Sequence, residues 1–207
     1  KVIAIDHANT TMKNHFRPDN SSYHVLDYSV ATGKVKRKKT VQGYADESAW
    51  SRGQSWALYG YTMMYRCTND PAYLEQAKKI AEFLTNHPNL PKDKIPYWDF
   101  NAPVTKATYR DVSASSIMAS ALLELGQYVD EADSNKYVGI AKKILQSLSK
   151  KAYRAKPGEN GGFILKHSVG SLPHKSEVDV PLTYADYYFI EALLRYKKWY
   201  LDKQAVL

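Results

Sequence analysis

Residues 42–56 combine the side chains that could bind an acidic sugar. The stretch reads Gln42-Gly43-Tyr44-Ala45-Asp46-Glu47-Ser48-Ala49-Trp50-Ser51-Arg52-Gly53-Gln54-Ser55-Trp56. Arg52 and Trp56 are four residues apart, so in a helix they share one face. A guanidinium can form two parallel hydrogen bonds with a carboxylate, and an indole beside it can stack on a sugar ring. The pair predicts a uronic-acid site. In the alternative interpretation, Arg52 pairs with Asp46 or Glu47 and the two tryptophans belong to the core.

Three further polar or aromatic positions have both a structural and a functional interpretation. Trp98, in Pro96-Tyr97-Trp98-Asp99-Phe100, could line a carbohydrate cleft or fill its loop. Asp111 or Ser113 is predicted to cap a helix, and the Asp186 carboxylate is predicted to have a structural role near a helix N-terminus. The sequence contains no HExxH motif, nucleophile elbow or glycine-rich phosphate loop. Its six histidines form no ligand-like cluster, so neither a metal nor a cofactor is predicted.

Composition predicts one folded domain over residues 1–207. Hydrophobic residues make up 44% of the chain and charged residues 24%, and the 17 Tyr, 5 Phe and 4 Trp imply a substantial core. No apolar run approaches the roughly 18 residues of a membrane span, so no membrane partner is predicted. The lone cysteine, Cys67, excludes an internal disulfide framework and is expected to be buried.

The net charge of +8 favours an anionic partner. The densest basic run, Lys34 to Lys39, follows Ala31-Thr32-Gly33 and is predicted to be a solvated hairpin tip. No zinc-ligand spacing, RNP-type strand or helix-turn-helix accompanies the charge, so no nucleic-acid partner is predicted. The segment Lys1–Ile5 lacks the apolar region of a signal peptide, and the sequence does not distinguish a periplasmic from a cytoplasmic location.

Internal repeats predict an all-α architecture built from helix pairs. The pattern Tyr-x3-Ala-Lys-Lys-Ile at residues 73–80 recurs 64 residues later, at 137–144. Ala57-Leu58 recurs at Ala121-Leu122 and again at Ala192-Leu193. The first pattern indicates amphipathic outer helices over about 71–87 and 134–151. The second belongs to weakly charged, mostly buried inner helices over about 48–67, 113–129 and 183–200.

The connections that lead into the inner helices are long and gather at one end of the fold. They cover residues 15–47, 88–112 and 152–182, with short strands predicted at 22–27 and 162–165. Ala4-Ile5-Asp6-His7-Ala8 matches an outer helix, which gives six helices in the order outer, inner, outer, inner, outer, inner. This order predicts about half of a helical toroid. Its exposed flanks predict self-association or pairing with a missing N-terminal half.

Several motifs, taken in order, resemble the bacterial unsaturated glucuronyl hydrolases of glycoside hydrolase family 88. They are Ser22-Tyr23-His24, Gln42-Gly43-Tyr44, the 46–56 stretch with its Ser-Ala-Trp-x-Arg-Gly-Gln-x-Trp string, residues 96–100 and Ala185-Asp186-Tyr187-Tyr188. The resemblance extends from about Ile5 to Lys197. It implies an (α/α)6 toroid of twelve helices, of which this chain would be the C-terminal part.

The resemblance also implies a reaction. Members remove the 4,5-unsaturated uronic acid that polysaccharide lyases leave at a non-reducing end. A carboxylic acid protonates C4 of the vinyl ether, water adds at C5, and the resulting hemiketal opens to release the remaining sugar. Such an acid needs a pKa raised by burial or a neighbouring charge. The expected partner is therefore an oligosaccharide of the glycosaminoglycan type that carries an unsaturated uronic acid.

Residue by residue, the resemblance assigns substrate contacts to His24, Gln42, Arg52 and Trp56. Further cleft candidates are Trp50, Trp98, Ser168, Ser171 and Lys175. The family's catalytic aspartates match no position here and would lie upstream of Lys1, so the 207-residue chain is expected to be inactive. Val41 stands where many members have His, and the spacing of Ser168, Ser171 and Lys175 departs from a sulfate-binding pattern of some members.

Other functions fit parts of the same pattern. The related unsaturated rhamnogalacturonyl hydrolases share the fold and chemistry but act on pectin fragments. A non-catalytic helical-repeat scaffold or an acidic-sugar-binding module would need no carboxylic acid. The long aromatic-rich loops at one end disfavour a scaffold, since repeat scaffolds keep loops short and present a groove.

Overall fold

The computed structural model describes residues 2–202, which contain six α-helices and two β-hairpins. The helices are listed in chain order: α1 (Val2–Asn14), α2 (Ser51–Thr68), α3 (Pro71–Asn86), α4 (Val112–Leu125), α5 (Glu131–Leu148) and α6 (Thr183–Tyr196). A π-helical turn at Lys197–Leu201 extends α6. The predicted alternation of outer and inner helices is confirmed.

The inner helices α2, α4 and α6 form the spine of the molecule. The helix α4 packs against both α2 and α6, and every one of its residues is buried. The outer helices α3 and α5 pack mainly on α2 and α4, each through an apolar stripe such as Tyr73, Ala77 and Ile80. The repeated helix pairs therefore form two layers, with the inner helices in one and the outer helices in the other.

Local capping explains where the outer helices begin. Asp70 caps α3 by accepting a hydrogen bond from the Ala72 N–H at 2.9 Å, with Pro71 in the first turn. The Asp130 side chain caps α5 through the Asp133 N–H. That cap starts α5 three residues before the predicted position at 134.

Two antiparallel hairpins lie in the long connections. The first pairs β1 (Val25–Tyr28) with β2 (Val35–Lys39) and lies close to the predicted strand. The second pairs β3 (Ser168–Ser171) with β4 (Ser176–Val180). The strand predicted at 162–165 is wrong, because positive φ angles at Gly161 and Gly162 turn the chain there and Leu165 makes only one bridge, to Arg154.

Two further predictions are corrected. The basic residues Lys36 to Lys39 form strand β2 itself, where Lys39 pairs with Asp27 at 2.9 Å, whereas the hairpin tip lies at 29–34. Cys67 is exposed: it lies in the last turn of α2 and is not among the buried residues of that helix. No helix within residues 2–202 is both long and apolar enough to cross a membrane.

Candidate active site

The loop that leads into α2 is fixed by a buried aspartate. Asp99 is 1% exposed, and its carboxylate accepts hydrogen bonds from the Tyr44 N–H at 2.9 Å and the Ser48 hydroxyl at 2.7 Å. Trp50, the residue before α2, bridges the backbone of Asp99. Its indole lies against the backbone of Gly53, where an added Cβ would come within 2.8 Å of the ring. The glycine of the Arg-Gly-Gln string therefore makes room for Trp50.

Arg52 connects two inner helices to the second hairpin. Its side chain is 4% exposed and forms an ion pair of 3.1 Å with Asp111, the N-cap of α4. The same guanidinium donates to the carbonyl oxygens of Val169 and Gly170 in β3, the latter at 2.6 Å. The partner is thus Asp111 and not Asp46 or Glu47, which pair with Arg37 and Arg17.

Gln42 and His24 continue this network. The Gln42 side-chain amide donates to the Gly170 carbonyl at 2.8 Å, so Gln42 and Arg52 share one acceptor. His24 Nδ1 accepts hydrogen bonds from the backbone N–H groups of Val41 and Gln42 at 3.1 and 3.2 Å. Because Nδ1 is an acceptor, the neutral ring carries its proton on Nε2. Burial, and secondarily the Arg52 charge, lower the pKa of His24, which favours this neutral form.

A cavity of about 450 Å³ lies between α1 and α2, and is called here the α1–α2 cavity. His24, Trp50 and Trp56 line it, together with His15 and Gln54. Gln54 is buried and holds the loop at Ser22 through two backbone hydrogen bonds. Its side-chain oxygen accepts from the Ser22 N–H at 2.9 Å, and its side-chain nitrogen donates to the Ser22 carbonyl. Burial also lowers the pKa of His15. The lining combines aromatic faces with neutral hydrogen-bonding groups.

Trp56 belongs to an aromatic cluster on α2 and α6. Its ring lies 5.0 Å from that of Tyr188 and 6.5 Å from those of Tyr59 and Tyr184, measured between centroids. The Arg52 guanidinium lies 4.6 Å from the Trp50 ring centroid and 5.3 Å from that of Tyr184. The predicted arginine and tryptophan therefore share one aromatic environment, in which Trp56 is partly exposed and lines the cavity whereas Arg52 is buried.

The remaining candidates separate into two groups. Trp98 is 6% exposed and packs with Ala102, Val169 and Leu172. It fills its loop and does not line the α1–α2 cavity. Ser168 is fully buried, Ser171 bonds the His174 ring at 2.7 Å, and Lys175 lies exposed in the turn between β3 and β4. Beside these hairpin residues, the Gly170 carbonyl is part of the Arg52 network.

The structural predictions for Asp111 and Asp186 are supported by the contacts. Asp111 accepts from the Ser113 N–H at 3.0 Å, and Asp186 accepts from the backbone N–H groups of Ile164 and Leu165 at 2.7 and 2.9 Å. Sequence reasoning missed the Arg52–Asp111 pair and the role of Gln54. The sequence does indicate an aspartate at the start of one buried helix, Asp111, and an arginine at the start of another, Arg52. It contains no local pattern that would pair these two residues, because they are 59 positions apart. Within residues 2–202, no His, Cys, Asp or Glu group is arranged to hold a metal.

Comparisons with known proteins identify the relatives of this arrangement. An unsaturated glucuronyl hydrolase from Formosa agariphila is 50% identical over 193 residues, which cover 93% of this chain and 48% of the relative. Its namesake from Bacillus sp. strain GL1 is 35% identical over 206 residues, covering 96% and 54%. An unsaturated chondroitin disaccharide hydrolase from Streptococcus pyogenes is 34% identical, covering 95% and 49%.

Solved structures give the same answer for the fold. An unsaturated glucuronyl hydrolase specific for heparin superposes with a TM-score of 0.90 at 55% identity, covering 93% of this chain and 51% of that one. The predicted relationship to the unsaturated glucuronyl hydrolases is confirmed. The (α/α)6 toroid expected from it is confirmed as well, here with six helices and short strands. No family model matches the chain.

The chain spans about half the length of the unsaturated glucuronyl hydrolases it matches. A Streptococcus agalactiae member, an aspartate-to-asparagine mutant, was solved in complex with dGlcA-GalNAc6S. It superposes at a TM-score of 0.81 with 32% identity, covering 95% of this chain and 52% of that one.

Proposed function

We propose that this chain forms the sugar-binding half of a hydrolase that removes 4,5-unsaturated uronic acid from glycosaminoglycan-type oligosaccharides. The observation that carries the proposal is the single network joining His24, Gln42 and Arg52 beside the aromatic cavity of Trp50 and Trp56. The names of the relatives, which include glucuronyl and chondroitin disaccharide hydrolases, support the substrate class.

The proton donor in this proposal comes from outside the chain. Within residues 2–202, no aspartate or glutamate lines the α1–α2 cavity. The nearby buried carboxylates of Asp99 and Asp111 are each held by several hydrogen bonds or an ion pair. A general acid must reach the substrate and release its proton, which these engaged groups are not placed to do. We therefore expect the isolated chain to bind without turnover.

Each proposed site residue has a role that its contacts support. Neutral His24 donates from Nε2 to a sugar or water oxygen, because its Nδ1 is occupied. Trp56 presents a partly exposed indole to a sugar face. Gln42 and Arg52 hold the Gly170 carbonyl, and through it β3, at the edge of the site. Arg52 acts in this scheme as a positioning residue, because its guanidinium is already enclosed.

In the reaction, an acid protonates C4 of the vinyl ether and water adds to C5. The hemiketal then opens, and the C4=C5 bond with its ultraviolet absorbance is lost. The contribution of this chain is to bind the sugar, orient it and exclude competing water. Orientation can supply a large part of a rate enhancement, so loss of a positioning residue should lower turnover even though it moves no proton.

The decisive experiment is a chimaera in which this chain replaces the corresponding half of the heparin-specific hydrolase that is 55% identical to it. We expect loss of ultraviolet absorbance with unsaturated glycosaminoglycan disaccharides, and none with the isolated chain. Activity on an unsaturated rhamnogalacturonan disaccharide alone would favour the pectin-type alternative. A correctly folded chimaera inactive on both substrates would contradict the proposal and favour a binding module.

Variants of the chimaera separate binding from positioning. Trp56→Ala removes a stacking face and should raise KM, whereas Arg52→Lys keeps the charge but loses the forked donor geometry and should lower kcat about 10-fold or more. Arg110→Ala is the matched control, because Arg110 also pairs with an aspartate, Asp93, and lies outside the cavity. An Arg52→Lys protein with unchanged kinetics would remove Arg52 from the site.

A further inference from the structure

Strand β2 carries three consecutive basic residues at its end, and they differ in how their charges are balanced. Arg37 forms an ion pair with Asp46, and Lys39 forms one with Asp27. Lys38 lies between them in the strand, and no carboxylate of residues 2–202 is at ion-pair distance from its Nζ. Its ammonium is therefore the unbalanced charge of the three.

The Lys38 ammonium lies against the lining of the α1–α2 cavity. Its Nζ is 4.4 Å from the ring centroid of Tyr23, which lines the cavity together with His24. The Lys38 charge also acts on His15, another lining residue. The pKa of His15 is lowered chiefly by burial, and the charges of His7 and Lys38 lower it further. These two contacts place a positive charge beside the part of the cavity that Tyr23 and His24 line.

The backbone holds Lys38 in a fixed relation to His24. In the first hairpin, Lys38 is paired with Leu26, which follows His24 by two residues. Beyond β2 the chain returns to the same histidine, because the N–H groups of Val41 and Gln42 donate to its Nδ1 at 3.1 and 3.2 Å. A side chain on a strand that is tied in this way is positioned more precisely than one on a free loop.

The proposed sugar site needs a cation, and Arg52 does not supply it. Arg52 is buried, pairs with Asp111 and donates to two carbonyl oxygens of β3, so its charge is balanced inside the protein. Arg17, which also lies over the Tyr23 ring, pairs with Glu47 and donates to backbone carbonyls around it. An ammonium that is partly removed from water is stabilised by an opposite charge. Since no aspartate or glutamate of residues 2–202 lines the cavity, a ligand anion would provide that charge for Lys38.

We propose that Lys38 binds an anionic group of the sugar, a carboxylate or a sulfate, where Tyr23 and His24 line the α1–α2 cavity. The inference rests on the proposed function and adds to it the residue that selects charged sugars over neutral ones. A lysine ammonium is a compact charge with three donors on a flexible stem, so it can pair with an anion of either shape. The Tyr23 ring holds the ammonium beside the cavity, from which the stem can reach a bound sugar.

Calorimetry on the 207-residue chain tests this contact, because the chain is expected to bind without turnover. The first ligand is dGlcA-GalNAc6S, the disaccharide in the Streptococcus agalactiae complex, which carries a carboxylate and a sulfate. Lys38→Met keeps most of the stem over Tyr23 without the charge, and should weaken binding about 10-fold. Lys38→Arg retains the charge and should keep most of the affinity. Lys36→Met is the matched control and should bind like the wild type, because Lys36 is an exposed lysine of the same strand.

Two further ligands identify the anionic group. The unsulfated disaccharide should show the same loss in Lys38→Met if Lys38 binds the carboxylate, and no loss if it binds the sulfate. The methyl ester of the unsulfated disaccharide carries no charge, so it should bind the wild type and Lys38→Met equally in either case.

Three results would overturn the proposal while leaving the proposed function intact, with circular dichroism confirming that each variant is folded. They are unchanged binding of every ligand to Lys38→Met, an equal loss in Lys36→Met, and an equal loss with the neutral ester, which would indicate a purely structural role. A wild-type chain that binds none of the three disaccharides would contradict the proposed function itself, and the assignment of Lys38 with it.

Discussion

Two buried centres of arginine and carboxylate join the inner helices, one at each end of the spine. The Arg52 centre comprises Arg52, Asp111 and the carbonyls of Val169 and Gly170. The Glu124 centre comprises Glu124, which is 1% exposed, with Arg66 at 3.1 Å and Arg195 at 2.9 Å. Both use the same ion-pair chemistry, and the first lies against Trp50, which lines the α1–α2 cavity.

The helix dipoles explain how each centre is balanced. Asp111 at the N-cap of α4 and the two arginines in the last turns of α2 and α6 have the charges that those helix ends favour. Arg52 and Glu124 have the charges that their own helix ends disfavour, so each depends on its partners. The Glu124 centre bonds helix to helix, through Arg195 to the Ser120 carbonyl at 2.8 Å. The Arg52 centre bonds the helices to a hairpin, and in the proposed function this connection positions the sugar-binding site.

The largest expected difference between the centres is in stability. Asp111→Asn leaves Arg52 buried without a counter-ion and should lower the free energy of unfolding by about 3–5 kcal/mol. Glu124→Gln should cost less, about 1–3 kcal/mol, because Arg195 keeps Glu191 at 3.5 Å and Arg66 is 44% exposed to water.

Urea denaturation of both variants measures this comparison. Lys136→Ala is the control, since it breaks an exposed pair with Glu82 that is worth at most about 1 kcal/mol. Equal losses for Asp111→Asn and Glu124→Gln would show that the two centres are equivalent, contrary to the geometry.

The same contrast explains what the sequence could predict. Helix identities and caps follow from local signals: the repeat at residues 73–80 and 137–144, and Asp70 before Pro71, both specify structure within a few residues. The hairpin of β3 and β4 has no such signal. Its strands are short, its polar residues Glu177 and Asp179 adopt positive φ angles, and the apolar run at 162–165 is the stronger strand pattern.

Site residues show the same limit. The type and spacing of Arg52 and Trp56 predict a shared environment, and the structure places both in one aromatic cluster. The ion-pair partner of Arg52 depends on how α2 and α4 pack, and its carbonyl acceptors on where β3 lies. Asp111 is 59 residues from Arg52 in sequence, and the carbonyl acceptors in β3 are more than 110 residues away. Contacts over such separations depend on how the whole chain packs, so no local sequence pattern predicts them.

The position of strand β3, which supplies the carbonyl acceptors of the Arg52 centre, can be changed without replacing a charged residue of that centre. At Gly170 an added Cβ would lie 2.6 Å from the Glu177 Cβ, so Gly170→Ala must move β3 away from β4. We expect a loss of about 1–3 kcal/mol in the free energy of unfolding, together with weaker binding of an unsaturated disaccharide in calorimetry, because the Gly170 carbonyl shifts from Arg52 and Gln42.

A second substitution provides the test of this mechanism. Glu177→Gly removes the obstructing Cβ at a position with φ of 53°, which glycine adopts readily, and should restore most of the loss. Gly139→Ala in α5 is the matched control, because its Cβ would enter open space and should be neutral or stabilising. Failure of Glu177→Gly to rescue would mean that Gly170 is required for another reason.

The smallest expected effect is the pH dependence of the Arg52 centre through His24. Burial and the Arg52 charge lower the pKa of His24 in the folded chain, so between the folded and unfolded pKa values the unfolded chain binds more protons. Stability from this residue is therefore fully present above pH 6.5, the unperturbed pKa, and is lost as the pH falls from there through the lower pKa of the folded chain. Protonation also removes the Nδ1 acceptor of the Val41 and Gln42 N–H groups.

His24→Asn keeps an acceptor that does not titrate in this range, so its urea-unfolding free energy should fall less on acidification than that of the wild type. His15 and His87 are present in both proteins, and their contributions cancel in the difference. Identical pH profiles would show that His24 is not coupled to the centre.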